Sequence, residues 1–184
     1  MRRCGKCKGL MEKSIRPEHT EDLGGVVVKI LNAVQVFRCE RCDSEMVAIP
    51  DMEGLAYATV ISRALNPVRL NGHEVKFMRR ALDMTQAEFA TAMDLTPETV
   101  SRWETNARGV GGACEKLTRH NVCALLSKGA KGRPYDPAVI AKMEFVELPK
   151  GQNIPPIEMV RVRITDETAV DGDGWGEMAH GRAA

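Results

Sequence analysis

Aromatic residues are scarce. Two Trp, two Tyr and four Phe make up 4 % of the 184 residues, although the hydrophobic set as a whole reaches 43 %. Such a chain can fold, but not around one large aromatic core. Net charge is also nearly absent, with 26 basic against 25 acidic side chains, so no global field drives the chain onto nucleic acid or a membrane. No run of about 18 apolar residues occurs, which excludes a membrane-spanning helix. The basic start Met1-Arg2-Arg3-Cys4-Gly5-Lys6 is followed by no apolar stretch, so no secretory leader is expected and a cytoplasmic location is the default. The four histidines (His19, His73, His120, His180) stand in no nucleophile–base or metallohydrolase pattern. Enzymatic activity is therefore not expected.

What is present is unevenly distributed. Residues 1–50 carry nine basic and seven acidic side chains, residues 71–133 carry ten and seven, and residues 134–184 carry five and nine. A mildly basic front and middle with an acidic tail predicts separate jobs along the chain.

Four of the six cysteines form two matched pairs, Cys4-Gly5-Lys6-Cys7 and Cys39-Glu40-Arg41-Cys42. A two-residue gap lets both thiolates of a pair reach one ion from a tight turn, and two such knuckles complete the closed tetrahedral shell of structural zinc. Arg2, Arg3, Lys6, Lys8, Arg38 and Arg41 surround a centre that would carry a charge of about −2, and cations favour thiolates. A redox pair would need a βαβ scaffold, which nothing here suggests. One zinc ion per chain, held by Cys4, Cys7, Cys39 and Cys42, is the expectation. With four thiolates in the shell, His19 reads as a surface residue.

Between the knuckles, the β-branched run Val26–Leu31, a turn at Asn32-Ala33 and the alternating Val34–Arg38 predict a hairpin. Arg16–Asp22 reads as a polar loop. Asp51–Leu65 reads as a helical connector stopped by Asn66-Pro67.

Residues 71–130 carry the second strong pattern. Asn71 with Glu74, and Thr85 with Glu88, make capping boxes opening helices that run to Leu82 and Met93. Asp94-Leu95 turns the chain, and Thr96 with Pro97 opens a third helix to about Trp103-Glu104. Two short helices joined by so tight a turn form the unit whose second helix enters the major groove. Met78, Leu82, Phe89, Ala90, Met93, Leu95, Val100 and Trp103 fall where crossed helices pack, which leaves Glu98, Thr99 and Arg102 facing out. Arg102 can fork to guanine O6 and N7, Thr99 can touch a phosphate or a thymine methyl, and Glu98 can accept from cytosine N4. Gln86, at a helix N-terminus, is placed to hold a phosphate.

The stretch Met84–Ala90 together with Leu95–Glu104 closely resembles the XRE/Cro repressor-like family. Joined to the double CxxC module, residues 1–130 resemble the MqsA-type antitoxins, which combine a YgiT-type zinc finger with a helix-turn-helix. The resemblance implies a zinc module that neutralises a ribonuclease-type toxin and a helical domain that dimerises and represses its own operon at a palindrome. It implies Cys4, Cys7, Cys39 and Cys42 as zinc ligands. It also implies a DNA-contacting set of Gln86, Thr96, Glu98, Thr99 and Arg102, with Thr105 and Asn106 near the backbone. Where the family has a glycine after the Trp-Glu pair, Asn106 stands here and should keep the left-handed turn. Where the family presents an amide for base reading, this chain has Glu98, so its operator should differ. A stand-alone regulator with the same two modules and no toxin partner is the alternative.

The next helix, about 113–128, should bury Cys114 and Cys123, and the resemblance implies that Val122, Leu125 and Leu126 on it contribute to the dimer. Past it, Met159–Ile164 alternates as a strand, and Asp166–Ala184 reads as a disordered acidic tail. By resemblance, such an extension suits a SecB-like chaperone. The expected architecture is α+β in two modules: a four-cysteine β-hairpin module (1–50), a helical connector (51–70), an all-α XRE/Cro-like bundle (71–130) and an extension of unassigned structure (131–184).

Overall fold

The structure, a computed structural model, describes residues 2–149, 151–164 and 172–178. Its class is α+β, a β-rich N-terminal region with the four cysteines followed by a helical region. A short β1 (Arg2–Arg3) leads through the first knuckle into β2 (Leu10–Asp22), which pairs antiparallel with β3 (Val27–Cys39). After the second knuckle, β4 (Glu45–Ala48) returns along the far end of β3.

The hairpin turn falls earlier in the chain than Asn32-Ala33. Asp22 Oδ1 accepts from the N–H groups of Gly24 and Gly25 at 2.9 and 2.6 Å, and both glycines have positive φ (94° and 107°). An aspartate followed by two glycines closes a turn more readily than Asn-Ala. Asn32, at φ 51°, instead kinks β3 opposite a register shift between Arg16 and Glu18. Pro17 sits at that shift, where a residue lacking an N–H does no harm. The expected polar loop Arg16–Asp22 is therefore strand. Its polarity reflects an exposed position on the sheet rather than absence of pairing.

The helical region begins with α1 (Met52–Leu65), capped by Asp51, whose carboxylate accepts from Gly54 N. It is a central helix with Leu55, Ala58, Val60, Ile61 and Ala64 fully buried. Then come α2 (Gly72–Ala81), α3 (Gln86–Ala92), α4 (Pro97–Glu104), α5 (Gly112–Leu126) and α6 (Pro137–Ala141). On α5, Cys123 is buried as expected, but Cys114 is exposed. Val122 and Leu126 point into the chain's own core, and Leu125 alone of the three expected dimer residues faces out.

Two buried arginines fasten this region. Arg63 pairs with Glu74 and donates to the carbonyls of Val68 and Arg69 at 3.0 and 2.9 Å. Arg119, 0 % exposed, pairs with Glu115 and donates to the carbonyls of Ala64, Asn66 and Val68 at 2.8, 2.5 and 2.6 Å. The segment between α1 and α2 thus has its carbonyls satisfied by guanidinium groups, as buried backbone requires.

The C-terminal extension joins the sheet. The strand β5 (Ile157–Ile164) pairs parallel with the first half of β3, from Val28 to Leu31, beside the stretch that β4 occupies. Within the expected disordered tail, Gly172–Glu177 forms β6, antiparallel to β5. The reason is Trp175, 1 % exposed, whose Nε1 donates to the carbonyls of Pro50 and Asp51 at 3.2 and 3.0 Å. Gly132 packs so closely on β6 that a Cβ there would meet the Trp175 carbonyl oxygen at 2.5 Å. The remainder of that tail lies outside the described residues. No helix among the described residues is long and apolar enough to cross a membrane.

Candidate functional site

Two constellations carry chemistry. The first is at the end of the sheet where both knuckles meet. Cys4 leads the first turn, closed by Lys8 N to Cys4 O at 3.0 Å and Cys4 N to Gly9 O at 2.9 Å, with Lys8 in the left-handed conformation. The second turn repeats the pattern, with Asp43 N to Cys39 O at 3.1 Å, Cys39 N to Ser44 O at 3.0 Å and Asp43 left-handed. The two turns are local copies because the same spacing makes the same bend.

They converge. Cys4 Sγ lies 3.6 Å from Cys42 Sγ, Cys7 Sγ lies 3.3 Å from Cys39 Sγ, and all four sulfurs fall within 4.8 Å of one another. A tetrahedral ion with bonds of about 2.3 Å to sulfur needs sulfur–sulfur edges of about 3.8 Å, so the donor set fits a four-thiolate metal shell. Cys42 is pulled down to about 6 by the Ser44 hydroxyl and N–H, which favour its thiolate. Backbone N–H groups of Cys7 and Lys6 lower Cys4 in the same way. Although the Gly9 N–H lowers Cys7, crowding by Cys39 and Cys42 wins and pushes it up to about 11. Four such sulfurs resist ionising together unless a cation shares the site.

The second constellation is the helix-turn-helix. Both capping boxes form: Asn71 Oδ1 accepts from Glu74 N at 3.0 Å, and Thr85 Oγ1 accepts from Glu88 N at 3.2 Å. Between α3 and α4, Asp94 is left-handed and Leu95 N reaches Ala90 O at 2.8 Å. Thr96 then caps α4 with Pro97 in its first turn. Phe89, Ala90, Met93, Val100 and Trp103 are buried between the helices. An ion pair locks the end of α4 to α2, with Arg79 Nε 2.6 Å from Glu104 Oε1. Burial pushes the Glu104 carboxyl upward, but Arg79 and Gln86 outweigh it and hold it below the usual range.

The expected DNA residues separate into two groups. Glu98 and Arg102 are exposed on α4, and the Arg102 guanidinium has no partner among the described residues. Thr96 is exposed, and its hydroxyl lies 3.1 Å from that of half-buried Thr99. The others are engaged internally. Gln86 Nε2 donates to Glu104 Oε2 at 2.9 Å, Thr105 Oγ1 donates to Ser101 O at 2.9 Å, and Asn106 Oδ1 accepts from Gly72 N at 2.7 Å. Asn106 is left-handed at φ 57°, as its place after the Trp-Glu pair predicts. A Cβ at Gly72 would collide with the Trp103 and Glu104 carbonyl oxygens, so glycine is needed where α2 meets α4. Arg108, in the glycine-rich loop 107–112, lies outside the expected DNA set. It is exposed, and its N–H returns to Arg102 O at 3.1 Å, keeping it beside the recognition helix.

The helix-turn-helix family model HTH_3 matches residues 75–110, spanning most of α2 through the loop after α4. No curated protein and no solved structure matches the chain. The chain carries an XRE-type helix-turn-helix domain and a four-cysteine cluster suited to a metal ion, and the domain supports binding to double-stranded DNA. That is the equipment of a transcription regulator.

Proposed function

We propose that the protein is a zinc-containing DNA-binding repressor and the antitoxin of a toxin–antitoxin pair. The observation that carries the DNA-binding reading is α4, which buries Val100 and Trp103 and leaves Glu98 and Arg102 free at the solvent face of a matched helix-turn-helix. Arg102 reads guanine as a bidentate donor, and Glu98 accepts from cytosine. Thr96, Thr99 and Arg108 contact the backbone. Gln86 and Asn106 hold the helices in register and reach phosphates only through backbone positioning.

Zinc, held by Cys4, Cys7, Cys39 and Cys42, supplies a structural cross-link worth about 10–16 kcal/mol of apparent binding energy in small domains. The chain's contribution is to present four sulfurs at tetrahedral spacing from two preformed turns. A homodimer reads two half-sites on one face of the duplex. Leu117 and Leu125, 51 % and 54 % exposed on α5, support an apolar contact between copies.

The antitoxin role rests on the double CxxC module joined to the helix-turn-helix. The stand-alone regulator is the alternative: β5 pairs with β3, and Trp175 on the neighbouring β6 bonds to the Pro50 and Asp51 carbonyls at the start of α1, tying the sheet that carries the cysteines to the helical region. A chaperone contact through 157–164 would first require those pairings to open.

The test is capture from the native host with the full, metal-loaded chain as bait, read by mass spectrometry. Retention of one small ribonuclease-like protein, lost in Cys39→Ser, supports the antitoxin. Specific promoter binding with no protein captured supports the stand-alone regulator.

A further inference from the structure

A cleft of about 530 Å³ opens where the helix-turn-helix meets the sheet. Its walls come from three parts of the chain that are distant in sequence: the β2–β3 turn and the start of β3 with Val26 and Val27, the residues leading into α2 with Leu70 and Asn71, and the approach to and first residue of β5 with Ile154 and Ile157. Asn106, at the exit of the recognition helix, completes it. That volume is within the range of small-molecule sites, which favour junctions between structural units.

The chemistry of the lining restricts the occupant. Every charged group in the wall is already matched: Arg63 by Glu74, and Arg69 by Glu115 at 2.9 Å and Glu147 at 3.4 Å. An anion would find no uncommitted cation there, and burying an unpaired charge is costly. The groups left over are side-chain amides. The NH₂ groups of Asn71, Asn106, Gln152 and Asn153 make no hydrogen bond among the described residues, while the Asn71 and Asn106 oxygens are committed to backbone N–H groups. Beside these donors lie the aliphatic surfaces of Val27, Leu70, Leu148 and Ile154, and no aromatic ring.

We propose that this cleft binds an uncharged small molecule bearing amide or hydroxyl acceptors on an aliphatic body. Such an occupant touches the sheet and the DNA-binding unit together. Asn106, whose oxygen closes the exit of α4 against the start of α2 through Gly72 N, stands in the helical wall of that cleft. The site is independent of which DNA, toxin or metal the protein binds.

The experiment is a ¹H–¹⁵N NMR titration of the full, metal-loaded chain with the blocked dipeptide N-acetyl-leucyl-valinamide, in parallel with sodium phosphate. Saturable shifts in the millimolar range or tighter should appear at Val26, Val27, Asn71, Asn106 and Ile157 with the dipeptide and not with phosphate. Asn153→Trp, at an exposed position on the rim, should abolish them while the rest of the spectrum is unchanged. No saturable shift, shifts from phosphate at the same residues, or dipeptide shifts that persist in a folded Asn153→Trp would each overturn the proposal.

Discussion

Replacing Arg119 by methionine should weaken the whole helical region. Arg119 is fully buried, pairs with Glu115 at 2.7 Å and satisfies carbonyls of Ala64, Asn66 and Val68. Its removal leaves the Glu115 carboxylate with Arg69 and the Leu70 N–H as its remaining partners, takes the guanidinium donor from the Ala64 carbonyl, and leaves the Asn66 and Val68 carbonyls with Arg63 alone. Losing one partner of a buried pair costs about 3–5 kcal/mol. For a chain of this size, that lowers Tm by roughly 6–20 °C. Differential scanning calorimetry and urea unfolding of the metal-loaded protein would measure it. Glu115→Gln should cost a similar amount, because it leaves the buried Arg119 guanidinium without its carboxylate, and the double variant should be milder than the sum. A loss below about 0.5 kcal/mol for Arg119→Met would mean that the buried pair does not hold this region together, since that is what an ordinary surface change costs.

Cys39→Ser should abolish stoichiometric metal binding, read by atomic absorption, whereas Cys114→Ser, outside the cluster, should leave it intact. Gln86→Ala should lower stability by about 1 kcal/mol by releasing its bond to Glu104, with DNA affinity at matched fold changed little; a large affinity loss in a fully folded variant would restore Gln86 as a direct contact. The depressed Glu104 carboxyl contributes stability that is fully present above the ordinary carboxylate range and is lost as pH falls through its lower folded value. Acid unfolding of the wild type should therefore steepen below about pH 4, and Glu104→Gln should be less stable at neutral pH with a flatter acid limb.

How much was legible depended on range. Asn71 with Glu74, Thr85 with Glu88, and Thr96 with Pro97 act within a single helical turn, so their letters alone located all three helix starts. The two CxxC pairs share that property, because each knuckle is a local bend, and only their meeting is non-local. The hairpin turn was also legible in principle: Asp22 with Gly24 and Gly25 is a turn signature, overlooked in favour of Asn32. What had no local signal was the return of the chain's end to its beginning. Nothing near Trp175 announces that its ring closes over the Pro50-Asp51 carbonyls, nor near Met159 that it pairs beside Ile30. The commitments of Gln86 to Glu104 and Asn106 to Gly72 were hidden for the same reason. Each side chain suits an exposed polar role until the partner element is brought against it.

If α4 reads DNA through Arg102, the effect of removing that side chain must depend on the DNA sequence. The most direct test is a fluorescence-anisotropy titration of the metal-loaded protein on its own upstream promoter and on a scrambled duplex, wild type beside Arg102→Ala. The wild type should prefer the promoter, and Arg102→Ala should lose roughly 5- to 150-fold on it, with a far smaller loss on the scrambled duplex. Equal losses on both, or no preference by the wild type, would contradict that reading of α4.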